Sequence, residues 1–305
     1  MPPPPPPSAS SAEVPTKETP VPITPGPDED ETVYITSTFQ PDAKPMRLLR
    51  PPKLTPTLAS RAHVKRTLAC AFRIFARYGF DEGVTGHITA RDPIQSDCFW
   101  VNPFGVHFSL IKASDLILVD NRGTVIDGGE CRRLNTAAFM IHGMIHIARE
   151  DVMCAAHSHS IYGRTWAAMG RELDMLTQDS CAFWKDHAIF DQFGGVVMGQ
   201  SEGKAIAKRM GSNKAVILQN HGLLTVGQSI EEAVYWFISM EKCCQTQLLA
   251  DAAAAGRGYQ TVKIGDEEAE VTHRIVGMPT AGYFSGRALF EKLIKEEGKE
   301  FDDEQ

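Results

Sequence analysis

Beyond residue 56 the chain holds very little proline: Pro93, Pro103 and Pro279 are all that follow, and the other 16 of 19 crowd into residues 1–56. Long helices and strands can therefore run uninterrupted only after that point. There is no CxxC pair, and the seven cysteines (Cys70, Cys98, Cys131, Cys154, Cys181, Cys243, Cys244) are an odd set, several in apolar runs. They read as reduced thiols of a reducing compartment, and a chain of 305 residues is too long to need disulfide staples. Adjacent Cys243 and Cys244 read as core, since neighbours in sequence bridge only with strain. No Lys/Arg-dense stripe relieves a net charge of −7, which excludes nucleic acid as the expected main partner. No apolar run approaches the roughly 18 residues that span a bilayer, and the first residues are proline and polar rather than basic and then greasy. A soluble, cytoplasmic protein with no membrane partner is expected.

What is present is ordinary globular material, 43% hydrophobic and 23% charged. Residues 1–56 open on six consecutive prolines and continue rich in Ser, Thr, Asp and Glu, too polar to offset the entropy of ordering. They read as a disordered tail, a solvated spacer before a domain over 57–255. Leu58, Ala62, Leu68, Phe72 and Phe75 recur at helical spacing until Gly79. Strands are expected over 87–90, 99–101, 116–119, 152–159, 215–219 and 223–226, and helices over 135–148, 161–169, 202–210 and 230–254. That order predicts a three-layer α/β/α domain around one mixed sheet. Residues 256–305 read as a polar extension with one apolar island, 281–293, whose Tyr283 and Phe284 are expected to pack on a neighbouring subunit.

The sharpest local feature is Ala156-His157-Ser158-His159 at the end of an apolar run. Side chains two apart on a strand share a face, so His157 and His159 form either a two-ligand clamp or a satisfied polar pair at a sheet edge. His221 interrupts another apolar strand and precedes Gly222, which permits close approach. Three neutral imidazoles with an open position would suit zinc, or iron or manganese. His142 and His146, four apart on one helix, lack the Glu that a zinc-protease helix would need after the first His, because Gly143 stands there, and read as buried structural residues.

Four ordered blocks carry a family resemblance: residues 81–91, Asn102-Pro103-Phe104-Gly105, the His157/His159 pair, and Gln219-Asn220-His221-Gly222-Leu223-Leu224. From Asp81 to about Ala250 the chain resembles the class II aldolase and adducin head family. The resemblance implies a mainly antiparallel sheet, a homotetramer, a small-molecule substrate, and Zn2+ (alternatively Fe2+ or Mn2+) on His157, His159 and His221. It also implies a glutamate, metal ligand and proton carrier, at the position of Ala138, where this chain has none. An alanine transfers no proton, so a substitute is required. His107 is the first nominee, followed by Asp179 and His187, with Gln178 beside the second. The phosphate loop of the sugar-phosphate enzymes is altered as well, with His87 in place of Asn. Thr85, His87, Asn135, Thr136 and Gln178 are the expected substrate-binding residues, suited to an anion such as a carboxylate. The expected activity is a metal-dependent lyase (aldol-type cleavage, dehydration or decarboxylation) acting on a small oxygenated carbonyl compound or hydroxy acid. The alternatives are a non-haem iron oxygenase of keto acids and a non-catalytic adducin-like binding protein.

Overall fold

The computed structural model describes residues 33–35, 46–196 and 199–298. Strands β1 (Val33–Ile35) and β2 (Met46–Leu48) pair with one another in a two-stranded sheet. The rest of the tail expected over 1–56 lies outside the described residues as far as residue 45.

The main unit opens with α1 (Leu58–Arg77). Thr57 caps it, its hydroxyl accepting the Ser60 N–H at 3.2 Å, and Val64, Leu68, Phe72 and Phe75 line its buried face at the spacing of one helical stripe. Gly79, at φ +72°, takes the left-handed backbone that stops the helix. There follow β3 (His87–Arg91), β4 (Phe99–Val101), β5 (Ile117–Val119) and β6 (Val125–Gly128). Next comes a helical stretch of three parts: α2 (Thr136–Ala138), a π-helical turn (Phe139–Gly143) and α3 (Met144–Ala148). Then come β7 (Cys154–Ser158), α4 (Ile161–Ala167), β8 (His187–Phe190), α5 (Gln200–Met210), β9 (Ala215–Leu218), β10 (Gly222–Gly227) and α6 (Ile230–Ala255).

Eight strands form one sheet in the order β6-β5-β4-β3-β7-β10-β9-β8. Only β8 and β9 run parallel among these neighbours, so the sheet is mixed and mainly antiparallel, as expected. One face buries Ile88, Ala90, Ala156 and Leu223 against α1 and α6. The other buries Ala155, Val216 and Leu224 against Ile141 of the π-helical turn, Ile145 of α3 and Ile206 and Met210 of α5. Helices therefore cover both faces, giving the three-layer α/β/α architecture.

The structure corrects the reading of the C-terminal region. Two helices stand there, α7 (Asp266–Val276) and α8 (Pro279–Glu297), with Pro279 at the first turn of α8, where its missing N–H costs nothing. Gly282 leaves room for the Trp236 ring of α6, and Tyr283, Phe290 and Leu293 are buried within the chain. The apolar island thus belongs to the protein's own core, and among its large hydrophobic side chains Phe284 is the exposed one. Its polarity was misleading because an amphipathic helix on a core helix needs one stripe alone to be apolar. A buried ammonium ties this region down: Lys214 donates to the carbonyls of Ala182 and Gly277 and pairs with Asp186 at 3.0 Å.

Phe290→Ala is expected to lower unfolding free energy by about 3–5 kcal/mol, the cost of truncating a buried aromatic. Urea titrations at two widely separated protein concentrations check the in-chain packing: the loss should be the same at both, whereas docking on another subunit would make it concentration-dependent.

Candidate metal centre

Strand register builds the site. His87 of β3 lies opposite His157 of β7, and Leu224 of β10 flanks His157 on the other side. Alternation along β7 puts Ala156 toward α1 and α6, and puts Ala155, and with it His157, toward the π-helical stretch. His159 follows the last residue of β7. His221 arrives from the turn joining β9 to β10, where Asn220 adopts φ +57°, a left-handed conformation that asparagine tolerates better than most residues. At Gly222 a Cβ would stand 2.7 Å from the Ser158 carbonyl oxygen, so only glycine lets the turn come this close to β7.

The three predicted imidazoles converge. Ring centroids are 5.2 Å apart for His157 and His159, 4.8 Å for His157 and His221, and 4.7 Å for His159 and His221. One ligand nitrogen from each lies within 4.8 Å of the others. His157 Nδ1 stands 2.7 Å from the Leu223 carbonyl oxygen, which can only accept, so Nδ1 carries the proton and Nε2 presents a lone pair. That Nε2 is buried with no hydrogen-bond partner. A stranded buried acceptor costs about 1–3 kcal/mol, and a cation is the partner that such a donor set fits. Burial holds His157 far below the usual imidazole range and pushes His221 down to about 4. Burial, and then the Arg164 charge, lowers His159. All three are therefore neutral near pH 7, the state a metal requires.

Glu241 of α6 fixes the chain just past His159. Its carboxylate accepts from Ser160 Oγ at 2.5 Å and from the Tyr162 and Gly163 N–H groups at 2.9 and 2.7 Å, capping α4.

A cavity of about 540 Å³ opens over the cluster, lined by the three histidines and, among the predicted substrate residues, by Thr85, His87 and Asn135. Thr85 Oγ1 donates to the Glu82 carbonyl at 2.7 Å, and Asn135 Oδ1 caps α2 by accepting from Ala137 and Ala138 N–H. Thr136 is exposed and does not line the cavity, nor do Gln178 and Asp179, which are exposed on a separate turn. Ala138, which stands where the resemblance implies the family glutamate, is 1% exposed, and its neighbour Ala137 lines the cavity. Neither carries a carboxylate.

Two nominated acid–base residues are excluded from the cavity within this chain. His107 is 52% exposed, its Nδ1 accepting the Ser109 N–H and its Nε2 standing 3.0 Å from Asp81, because it caps the short turn that follows it. His187 is buried with both nitrogens used, one on the Phe183 carbonyl at 2.6 Å and the other accepting the Leu173 N–H at 3.0 Å. Neighbouring Asp186 is spent on Lys214 and His273.

The sequence reading does not foresee a second imidazole group beside the first. His87 lies 4.2 Å from the His142 ring and 4.9 Å from the His157 ring, and Thr89 Oγ1 bridges His142 Nδ1 (2.9 Å) and His146 Nε2 (2.8 Å). The π-helical turn brings His142 there, a local widening that no spacing rule reveals. Arg164 was also missed: it lines the cavity from α4, and nothing in the sequence separates it from a surface arginine.

Residues 66–248 match the family described as Class II Aldolase and Adducin N-terminal domain. The chain belongs to that family. It is 42% identical over 246 residues to Decarboxylase NovR of Streptomyces niveus, covering 80% of this chain and 89% of that protein. It is 43% identical over 245 residues to 4-hydroxy-3-prenylphenylpyruvate oxygenase/4-hydroxy-3-prenylbenzoate synthase of Streptomyces roseochromogenus subsp. oscitans, covering 80% and 86%. The solved structure of L-fuculose 1-phosphate aldolase from Glaciozyma antarctica PI12 shares 46% identity at a TM-score of 0.76, covering 83% of this chain and 97% of that one. These family relatives thus carry the names of different reactions.

Folded imidazoles held below their unfolded pKa bind fewer protons than the unfolded chain does, so acid favours unfolding. Metal-free protein is therefore expected to lose stability as pH falls below about 6.5, and to go on losing it until His221 protonates at about 4. Urea midpoints measured from pH 7.5 to pH 4 check this; a flat profile over that span would show that the imidazoles are not buried neutral.

Proposed function

We propose that the chain is a metal-dependent lyase that breaks a carbon–carbon or carbon–oxygen bond in a small oxygenated carbonyl compound or hydroxy acid. His157, His159 and His221 are its metal ligands, with Zn2+ as the metal and Fe2+ or Mn2+ as alternatives. The observation that carries this reading is the buried, unpartnered, proton-free Nε2 of His157 within 4.8 Å of ligand nitrogens from His159 and His221. A satisfied polar pair would have given that nitrogen a donor. A binding protein of the adducin type has no need of three converging neutral imidazoles, and that weighs for an enzyme.

When bound, the metal supplies Lewis acidity, stabilising charge that develops on a carbonyl or enediolate oxygen. The chain's own residues then have separate tasks. Asn135 and Thr85 sit at the cavity wall with polar groups that orient an oxygenated substrate. With alanine at 137 and 138 and with His107 outside the cavity, we assign the holding of a proton to His87, read from the sequence as substrate-binding, which lines the cavity beside His157. Phe104, Ile141 and Phe193 give the cavity an apolar side that keeps water from reactive intermediates. Relatives named as a decarboxylase and as an aldolase fit a lyase at this site. A homotetramer in the cytoplasm is the assembly and place we propose; no helix among the described residues is long and apolar enough to cross a membrane.

A second reading, an iron-dependent oxygenase of keto acids, is favoured by one observation: a relative 43% identical bears the name of an oxygenase.

Purified protein is expected to hold close to one divalent metal per chain by elemental analysis, and His159→Ala to lose it while keeping its circular dichroism spectrum. Wild-type protein that takes up no metal, and whose melting temperature does not move when metal is added, would end the enzyme reading. For the choice between the two readings, iron in protein from its native host with oxygen consumed on adding a keto acid is expected only of the oxygenase; zinc with no oxygen uptake is the outcome expected of the lyase.

A further inference from the structure

Thr89 of β3 joins two histidines that the candidate metal site does not use. Its Oγ1 stands 2.9 Å from His142 Nδ1 and 2.8 Å from His146 Nε2, and all three residues are buried. Both rings are wedged in place: Phe99 stacks on His146 with centroids 5.1 Å apart, and His87 meets His142 edge-on at 4.2 Å. The outer nitrogens, His142 Nε2 and His146 Nδ1, are buried without hydrogen-bond partners. In a purely structural pair those two atoms are cost alone, about 1–3 kcal/mol each, and apolar side chains would fill the space without it. The two ends also open on different places. His142 abuts His87, which lines the cavity over the three converging imidazoles. His146 lines a second cavity of about 490 Å³, whose wall includes the exposed residues Ser96, Asp97, Asn121 and Glu150, so water and two carboxylates stand at that end.

A hydroxyl has one proton to give. Thr89 therefore donates to one imidazole and accepts from the other, and of the two ring nitrogens facing it one carries a proton and the other a lone pair. Because those nitrogens are Nδ1 of one ring and Nε2 of the other, neutral rings satisfy the hydroxyl only when both are protonated at Nδ1 or both at Nε2. A proton taken up at His142 Nε2 converts the first state into the second. His142 passes its Nδ1 proton to Oγ1, Oγ1 passes its own to His146 Nε2, and His146 releases the proton on Nδ1. Each ring gains one N–H bond and loses one, the hydroxyl exchanges one O–H for another, and every group begins and ends neutral. We infer that Thr89, His142 and His146 form a proton relay between the ring beside the metal cavity and the second, water-facing cavity. Its use in turnover rests on the lyase reading, under which a site without the family glutamate must still move protons. An aldol cleavage or a dehydration removes one proton and returns one, so each turnover resets the relay.

The test uses the full-length protein, prepared with zinc and labelled with nitrogen-15 at histidine. Solid-state NMR reads the tautomer of each ring, and His142→Asn and His146→Asn assign the signals. Wild type is expected to show matching tautomers at His142 and His146, both Nδ1–H or both Nε2–H, or exchange between those two states. The rate at which the buried His142 ring N–H exchanges with water is then measured. Thr89→Val is expected to slow it by about tenfold or more, and Thr89→Ser, which keeps the hydroxyl, to stay within about threefold of wild type. A merely structural threonine would not set that rate. If Thr89→Val does not fold, His146→Phe removes the outer end and is expected to give the same slowing. Unlike tautomers in wild type, or exchange as fast in a folded Thr89→Val or His146→Phe protein as in wild type, overturns the relay. Zinc content is measured on the same samples. Wild type that holds none takes down the lyase reading and leaves the relay to be decided by its tautomers and exchange rate, whereas zinc-bearing wild type that fails those two measurements loses the relay and keeps the metal site.

Discussion

The hydrogen bond from His157 Nδ1 to the Leu223 carbonyl organises this site. It joins β7 to β10 by a side chain as well as by backbone, chooses the tautomer of the imidazole, and turns the remaining lone pair toward His159 and His221. Register then follows from burial. Slipping β7 by one residue would exchange Ala156 for His157 in the apolar core beneath α1 and α6, so the hydrophobic pattern of the sheet and the position of the site are the same constraint. Gly222 and Asn220 are its local consequences: one admits the turn to within contact of β7, and the other supplies the backbone conformation that lets His221 come back over the strand.

Such a site is costly to a metal-free chain. Buried nitrogens of His87, His142, His146 and His157 lack hydrogen-bond partners, a concentration of unsatisfied polar atoms in one layer between the sheet and the π-helical stretch. Thr89 offsets part of this by serving two rings with a single hydroxyl, and Glu241 braces the chain past His159 from outside the layer. Local instability of this kind is typical of sites arranged for a ligand. The large apolar faces on either side, anchored by residues such as Trp100, Phe72, Phe237 and Ile206, give the fold the margin to carry it.

How much of this could be read beforehand depended on distance along the chain. The convergence of His157, His159 and His221 was legible because the first two are two apart at the end of a strand and the third breaks an apolar run, both local patterns. The layers and the mixed sheet were legible for the same reason, through periodicity. His187 and His107 misled because the demands that hold them, the Leu173 N–H and the Phe183 carbonyl in one case and a short turn in the other, leave no trace in composition. Strands β6 and β8 were overlooked: β6 is a short, largely exposed edge strand, and β8 is a four-residue strand buried among turns. The C-terminal helices were read as a polar tail because α7 buries only one residue and α8 a narrow stripe. The π-helical turn leaves no trace in the spacing, and the turn before it carries alanine at both 137 and 138, where the resemblance implies a glutamate.

That substitution has an electrostatic consequence beyond the lost base. A divalent cation among three neutral imidazoles keeps its full double charge, whereas a glutamate from the turn at Ala137 and Ala138 would have cancelled half of it. Arg164 adds a further positive charge, and its own counter-ion, Glu82, stands behind it rather than in the cavity. Arg164 is half exposed and solvent screens part of its charge, so an incoming anion would meet a mildly positive cavity. With alanine in place of the carboxylate, a metal site on these three histidines would lack both that proton carrier and that balancing charge.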